Sequence, residues 1–277
     1  MKLRKIQNKE ELQDLLLSRD NGIATITLNR PHQLNAISPA MTNGLVKLAR
    51  ELPEDPDLKV IVVTGAGRSF CAGGNVTSIA SNVEANQSGR PAAPLRLTHP
   101  ENNYQIAFTQ CERPIIAAIN GYAVGLGMGL ALSCDIRIAS EEAQFFVAQT
   151  NIGRRPDGGL NFLLPRVVGV EKALELMWTG DRIDAYEAYR IGLVSKVVPA
   201  KDLMGEVMEL ADKIAKGPTI AQMLAKRMVY KTMYPEEAQI ASAEMEHYTG
   251  YVINMTEDAL EGVRAFREKR NPVFKGR

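Results

Sequence analysis

Two stretches of the chain, VIVVTGAGRSFCAGGNV at 60–76 and NGYAVGLGMGLALSCDI at 120–136, each run from an apolar strand pattern through a small-residue turn into a helix pattern. Gly73-Gly74 and Gly125-Leu126-Gly127 permit close backbone approach and positive φ at those turns. If the N–H groups of Ala72 and Leu126 face one point, with the positive end of a helix starting at Gly127 behind them, they stabilise a developing enolate oxygen. Such a donor is worth about 3 kcal/mol where water is excluded. The same residues have a plainer reading, in which small side chains let the 127–133 helix pack tightly on a sheet.

Carboxylates are thin around these turns. Between Glu112 and Glu171 they are Asp135, Glu141, Glu142 and Asp157. Asp135 precedes the strand pattern IRIAS and suits a backbone hydrogen-bonding role, and Glu141-Glu142 opens a polar turn. Asp157, in GRRPDGG at 153–159, is the acid on a glycine turn beside apolar segments. It fits a proton-transfer base, and equally an N-cap for the helix that LNFLLPRVVG predicts. Arg154 and Arg155 next to it favour its ionised form; they suit an acidic acyl tail or a surface position.

Other chemistries fit poorly. His32, His99 and His247 fall in a turn, a polar loop and an amphipathic helix, and none adjoins a Ser or Cys in a strand-turn-helix elbow. His, Cys and carboxylate spacing resembles no metal site, and GAGRSFCAGG is neither a Walker loop nor a dinucleotide fingerprint.

The elements that must hold these turns read as follows. LLLSRD and GIATITLN, separated at Asp20-Asn21-Gly22, predict an antiparallel hairpin. Ser38-Pro39 predicts a helix start, with an end near Leu52 before Pro53 and Pro56. KVIVVTG at 59–65 predicts a strand buried on both faces. SNVEANQSGRPAAPLRLTHP at 81–100 predicts a mobile loop, followed by a helix over about 101–111 and strands at 114–120 and 135–140. This alternation suggests stacked β-β-α turns rather than a simple doubly wound sheet. From about Lys201 the pattern turns wholly helical, at 201–216, 218–234, 236–254 and 257–268. Such a tail completes an oligomer interface or forms a helical layer on its own core.

At 277 residues, 45% hydrophobic and 23% charged, the chain can bury a full core as one large domain or as a domain with a helical extension. Lys plus Arg (33) nearly balances Asp plus Glu (32), which gives no support for nucleic acid, a membrane surface or a polyanionic partner. Cys71, Cys111 and Cys134 each sit in or beside an apolar run and read as buried reduced thiols, in keeping with a cytoplasmic compartment. The first residues, MKLRKIQNKEELQDLLL, lack a signal-peptide pattern, and no apolar run reaches bilayer length.

The stretches LNRPHQLNAIS (28–38), FCAGGNV (70–76), ERPIIAAINGYAVGLGMGLALSCDIRIAS (112–140), AQFFVAQTNIG (143–153), LPRVVG (164–169), IGLVSKVV (191–198) and EGVRAFREKRNPVF (261–274) resemble the crotonase, or enoyl-CoA hydratase/isomerase, superfamily. The resemblance runs from Leu15 to Lys275. It implies an α/β fold, a crotonase-like spiral of β-β-α turns over 1–200 that binds acyl-CoA, and a C-terminal helical trimerisation region over 201–277. It implies a homotrimer or a dimer of trimers. It also implies a coenzyme A thioester whose carbonyl oxygen lies between the N–H groups of Ala72 and Leu126, with no cofactor beyond the coenzyme A of the substrate. Substrate contacts are expected at Gln33, Asn35, Ala36, Gly73, Gly74, Asn75, Gly125 and Gln149, and near the nucleotide end at Phe266 and Lys269 or Arg270.

The positions that match the two hydratase glutamates hold Gly129 and Gln149, and neither takes a proton near neutral pH. Asp157 matches the position where isomerase members and a dehalogenase branch carry a functional aspartate. An isomerase needs one base to move a proton from C2 to C4, so the resemblance favours enoyl-CoA double-bond isomerisation. Dehalogenation ranks lower, because Phe145 and Phe146 have no tryptophan beside them. The alternatives are a hydratase or hydrolase of an unusual acyl-CoA, with water oriented by Gln149 and Asp157, and a catalytically silent acyl-CoA-binding paralogue.

Overall fold

The hairpin at Asp20-Asn21-Gly22 forms one edge of the main sheet in the computed structural model, which describes residues 12–74 and 103–277. Strand β1 (Leu15–Asp20) pairs antiparallel with β2 (Ile23–Leu28). Asn21 (φ 48°) and Gly22 (φ 78°) both take positive φ, as a two-residue primed turn demands. Helix α1 (Pro39–Glu51) begins where Ser38-Pro39 predicts, with the Ser38 hydroxyl accepting from Met41 N–H at 3.0 Å. Next come β3 (Val60–Gly65), β4 (Ser69–Cys71), α2 (Tyr104–Gln110), β5 (Ile115–Ile119), β6 (Tyr122–Val124) and α3 (Leu126–Ser133). Then follow β7 (Ile136–Ser140), β8 (Gln144–Phe146), α4 (Leu160–Val168), α5 (Val170–Thr179), β9 (Ile183–Asp184), α6 (Ala185–Arg190) and β10 (Lys196–Val198). Four helices close the chain: α7 (Leu203–Ala215), α8 (Thr219–Met233), α9 (Glu236–Ile253) and α10 (Glu257–Glu268).

The strands make two sheets, a six-stranded one in the order β1-β2-β3-β5-β7-β10 and a four-stranded one in the order β4-β6-β8-β9. Parallel pairing joins β2 to β3, β3 to β5, β5 to β7 and β7 to β10, and in the small sheet β4 to β6 and β6 to β8. The chain therefore gives one strand to the large sheet, the next to the small sheet, then a helix, and repeats. This is the spiral of β-β-α turns that the alternation suggests. Each passage ends in a turn at the same edge of the small sheet, which brings the 71–74 and 124–126 turns together.

Strand β3 is buried on both faces as its apolar run predicts. Ile61 and Val63 join the main core with Leu45, Leu48 and Phe108, while Val60 and Val62 face α7 through Leu203, Val207 and Ala211. Burying such side chains stabilises the fold by about 1.5–3 kcal/mol each. Helix α7 thus closes the second face of the large sheet. The 81–100 segment, Asn75 and His99 lie outside the described residues.

Candidate active site

Gly73 (φ 94°) and Gly125 (φ 49°) let the two turns approach: a Cβ on Gly73 would stand 3.0 Å from the Val124 carbonyl oxygen and 3.8 Å from Leu126 N. The loop at 33–37 lies beside them. Ile37 N–H donates to Gly73 O at 2.7 Å, and Ala72 N–H donates to Leu34 O at 2.9 Å. That second bond corrects the expectation for Ala72: its amide is spent on the neighbouring loop. Among the described residues, no carbonyl accepts from Gly74 N–H or from Leu126 N–H, the first amide of α3. Tyr104 holds the same turn from α2, its hydroxyl donating to Leu126 O at 3.3 Å. Cys71 beneath the turn is fully buried, and burial pushes its thiol up to about 12, which makes it inert packing.

Asp157 faces this turn from the segment before α4. Gln149 Nε2 donates to Asp157 Oδ1 at 3.0 Å, and Arg155 Nη1 pairs with Oδ2 at 2.9 Å. Arg155 also donates from Nη1 to Pro156 O at 3.3 Å and reaches α9 with Nε on Thr249 Oγ1 at 3.1 Å and Nη2 on the Glu246 carbonyl oxygen. Arg154 donates to Asn254 Oδ1, and burial lowers its pKa from the ordinary value. Both arginines are half-buried and reach the C-terminal part of the chain, Arg154 at Asn254 and Arg155 at Thr249 and Glu246. The N-cap reading of Asp157 fails as well. Gly159, at φ 77°, takes that place in α4 with no side-chain bond of its own.

The missing cap comes from a residue that the sequence did not single out. Glu246 on α9 accepts from Gly158 N–H at 3.0 Å through Oε2, and from Gly159 N–H at 3.1 Å through Oε1. Asn161 Nδ2 adds a 3.4 Å bond to Oε1. Burial, and then the Asp157 carboxylate, push Glu246 up to about 7, against Arg155, the Gly159 amide and Asn161. A signal for such a residue does exist in the sequence: Gly158-Gly159 before a helix leaves first-turn N–H groups that need an acceptor from elsewhere.

The two residues at the hydratase-glutamate positions have specific surroundings. Gly129 faces the Gly158 carbonyl so closely that a Cβ there would collide with it. Gln149 packs on Gly125, and its Oε1 is buried without a hydrogen bond from any described residue. Next to them is a cavity of about 230 Å³ whose lining includes Tyr104, Leu126, Arg155, Asp157, Glu246 and His247.

The remaining expected contacts divide. Gln33 is exposed and accepts from Arg30, and Ala36 O accepts from Arg30 Nη1 at 2.6 Å, both on the loop that flanks the turn. Asn35 is fully buried; its Nδ2 donates to Ala66 O and Ser69 O at 2.9 and 2.7 Å, and its Oδ1 accepts from Arg30 N–H. The Asn35 side chain is thus a structural knot with no donor left for a substrate, a correction to the expected contact. Phe266 stands on α10 and Lys269 just past its end, both exposed and outside the cavity lining. Among the described residues, no His, Cys, Asp and Glu side chains group in a way that could hold a metal ion, and no helix is long and apolar enough to cross a membrane.

The chain matches the family profile described as enoyl-CoA hydratase/isomerase over residues 18–277. It is 36% identical over 260 residues to a probable enoyl-CoA hydratase of Mycobacterium tuberculosis (strain CDC 1551 / Oshkosh), covering 94% of this chain and 97% of that one. Its structure is similar to that of an enoyl-CoA hydratase/isomerase from Pseudoalteromonas atlantica T6c, with TM-score 0.83 and 28% identity over 95% of this chain and 100% of that one. It is also similar to a monofunctional enoyl CoA isomerase from M. smegmatis, with TM-score 0.66 and 34% identity over 82% of this chain and 98% of that one.

Proposed function

This chain belongs to the enoyl-CoA hydratase/isomerase family, and on that premise we propose that it isomerises enoyl-CoA thioesters with Asp157 as the single base. Family membership makes it an enzyme of acyl-CoA chemistry. The observation that carries the finer reading is the filling of position 129, where the Gly158 carbonyl occupies the space of a side chain, while Asp157 stands beside the Leu126 turn. With Gln149 at the other position, a carboxylate pair for holding and splitting water is replaced by one carboxylate and one amide.

In this reading Asp157 removes a proton from C2 of a 3-enoyl thioester. The electron pair spreads into the carbonyl and the C3–C4 double bond, and the enolate oxygen accepts from the N–H groups of Gly74 and Leu126. Asp157 returns the proton at C4, which leaves the double bond between C2 and C3. Proton and electrons balance without water and without a cofactor beyond the coenzyme A of the substrate. Gln149 and Arg155 orient the Asp157 carboxylate through the bonds at 3.0 and 2.9 Å. The same proposal has the enzyme work as a homotrimer or a dimer of trimers.

Replacing Asp157 with Asn is expected to slow conversion of 3-hexenoyl-CoA to 2-hexenoyl-CoA by about 100- to 10,000-fold. Turnover at the wild-type rate would remove Asp157 from the mechanism. A second reading has one observation in its favour. The buried Oε1 of Gln149 is an unused acceptor within reach of a water that Asp157 could activate, and the M. tuberculosis relative is named a hydratase. Turnover of enoyl-CoAs in heavy-oxygen water separates the two, since isomerisation leaves the product unlabelled.

A further inference from the structure

Among the described residues, Glu246 is the carboxylate that ties the C-terminal helices to the Asp157 turn. Helix α4 has no side-chain cap of its own, and its first amides need acceptors. Glu246 supplies them through Gly158 N–H and Gly159 N–H, from 88 and 87 positions away in sequence. These bonds fix the peptide that follows Asp157 and keep the Gly158 carbonyl against Gly129. Arg155 makes a second link to the same part of α9, bridging the Asp157 carboxylate to the Glu246 backbone and Thr249. The base is thus held from both sides by one stretch of helix.

We propose that Glu246 is a positioning residue for Asp157, and that its ionised carboxylate is the form that holds the catalytic turn in working register. The inference rests on the reading of Asp157 as the base. A carboxylate binds N–H groups about twice as strongly as a neutral acceptor does. The charged and titratable groups facing Glu246 are Asp157 and Arg155 from the turn and Tyr104 from α2, with His247 beside it on α9 in the same cavity. Burial and the Asp157 charge shift its ionisation to about 7, so the holding form gains population as pH rises through neutrality. Activity should rise with it.

The test follows conversion of 3-hexenoyl-CoA from pH 5.5 to 8.5 by the full-length wild type, E246Q, E246A and D157N, with amide hydrogen exchange at Gly158 and Gly159. Expected are a rise of about tenfold in wild-type kcat/KM through neutrality, loss of that rise in E246Q, whose kcat/KM stays near the wild type's low-pH value across the range, and a kcat at least tenfold lower in E246A at a KM close to wild type. Exchange at Gly158 and Gly159 should speed up in E246A. A wild-type pH profile in E246Q, or a wild-type kcat in E246A, would overturn the proposal. If E246A does not accumulate as folded protein, E246Q carries the decision through its pH profile. Should D157N keep full turnover, the assignment of the base fails instead. Glu246 is then judged by exchange alone, and wild-type protection of both glycine amides in E246A would end the proposal.

Discussion

A glutamate cannot be put back at position 129 without moving the turn that carries Asp157, because the Gly158 carbonyl already fills the space of its Cβ. The substitution Gly129→Glu is therefore expected to destabilise the protein by several kcal/mol, about 3 or more, and to give no gain in hydration of crotonyl-CoA. Urea unfolding and the loss of crotonyl-CoA absorbance measure the two effects; efficient hydration in a variant of wild-type stability would show that the space at 129 is open. Residue by residue, the sequence was informative where chemistry depends on side-chain type. Asp157 stands out as a candidate because few acids surround it. Ala72 was not legible, because spacing cannot tell which of several successive amides a nearby loop consumes, and here Leu34 O takes that one at 2.9 Å. Glu246 stayed hidden because its partners lie almost ninety residues away and its helix reads as an ordinary amphipathic one.

At the scale of elements, the short strands and the loop that braces them matter most. Ser38, the Asn21-Gly22 turn and the apolar run of β3 each declare their element through local physics, and each element forms where its residues say. Strands β4, β6 and β8 have only three residues apiece, too few to show a period, so the second sheet and its order could not be read from the chain. The loop at 30–36 is a similar case. Asn35 sits at φ 58° and binds Arg30 N–H, Ala66 O and Ser69 O, joining this loop to the β3–β4 connection. Its truncation removes one buried and two part-buried hydrogen bonds to the backbone. Asn35→Ala is expected to cost about 2–4 kcal/mol in urea unfolding, a loss that a residue serving only as a substrate contact would not produce.

Among the described residues, an apolar face of the C-terminal helices stays exposed. Helix α8 buries none of its residues, and Ile220, Leu224 and Met228 follow one another at four-residue spacing, 75%, 48% and 63% exposed. Val229 and Met233 extend the strip, and Met245, Tyr248 and Val252 add exposed apolar surface on α9. Exposed apolar area on this scale marks an interaction surface, which agrees with the proposed assembly of like subunits. The same helix α9 contacts the Asp157 turn through Glu246 and Arg155, which gives the proposed assembly a short, direct route to the proposed base. Sedimentation at micromolar concentration is expected to give a trimer or hexamer for the wild type, and a smaller species for the double variant Leu224→Glu, Met228→Glu. Neither substituted residue lines the cavity, yet the variant should lose turnover of 3-hexenoyl-CoA in step with its dissociation, because a loosened α9 releases the turn it caps. A wild type that sediments as a monomer would refute the assembly, and a dissociated variant with full turnover would refute the link between them.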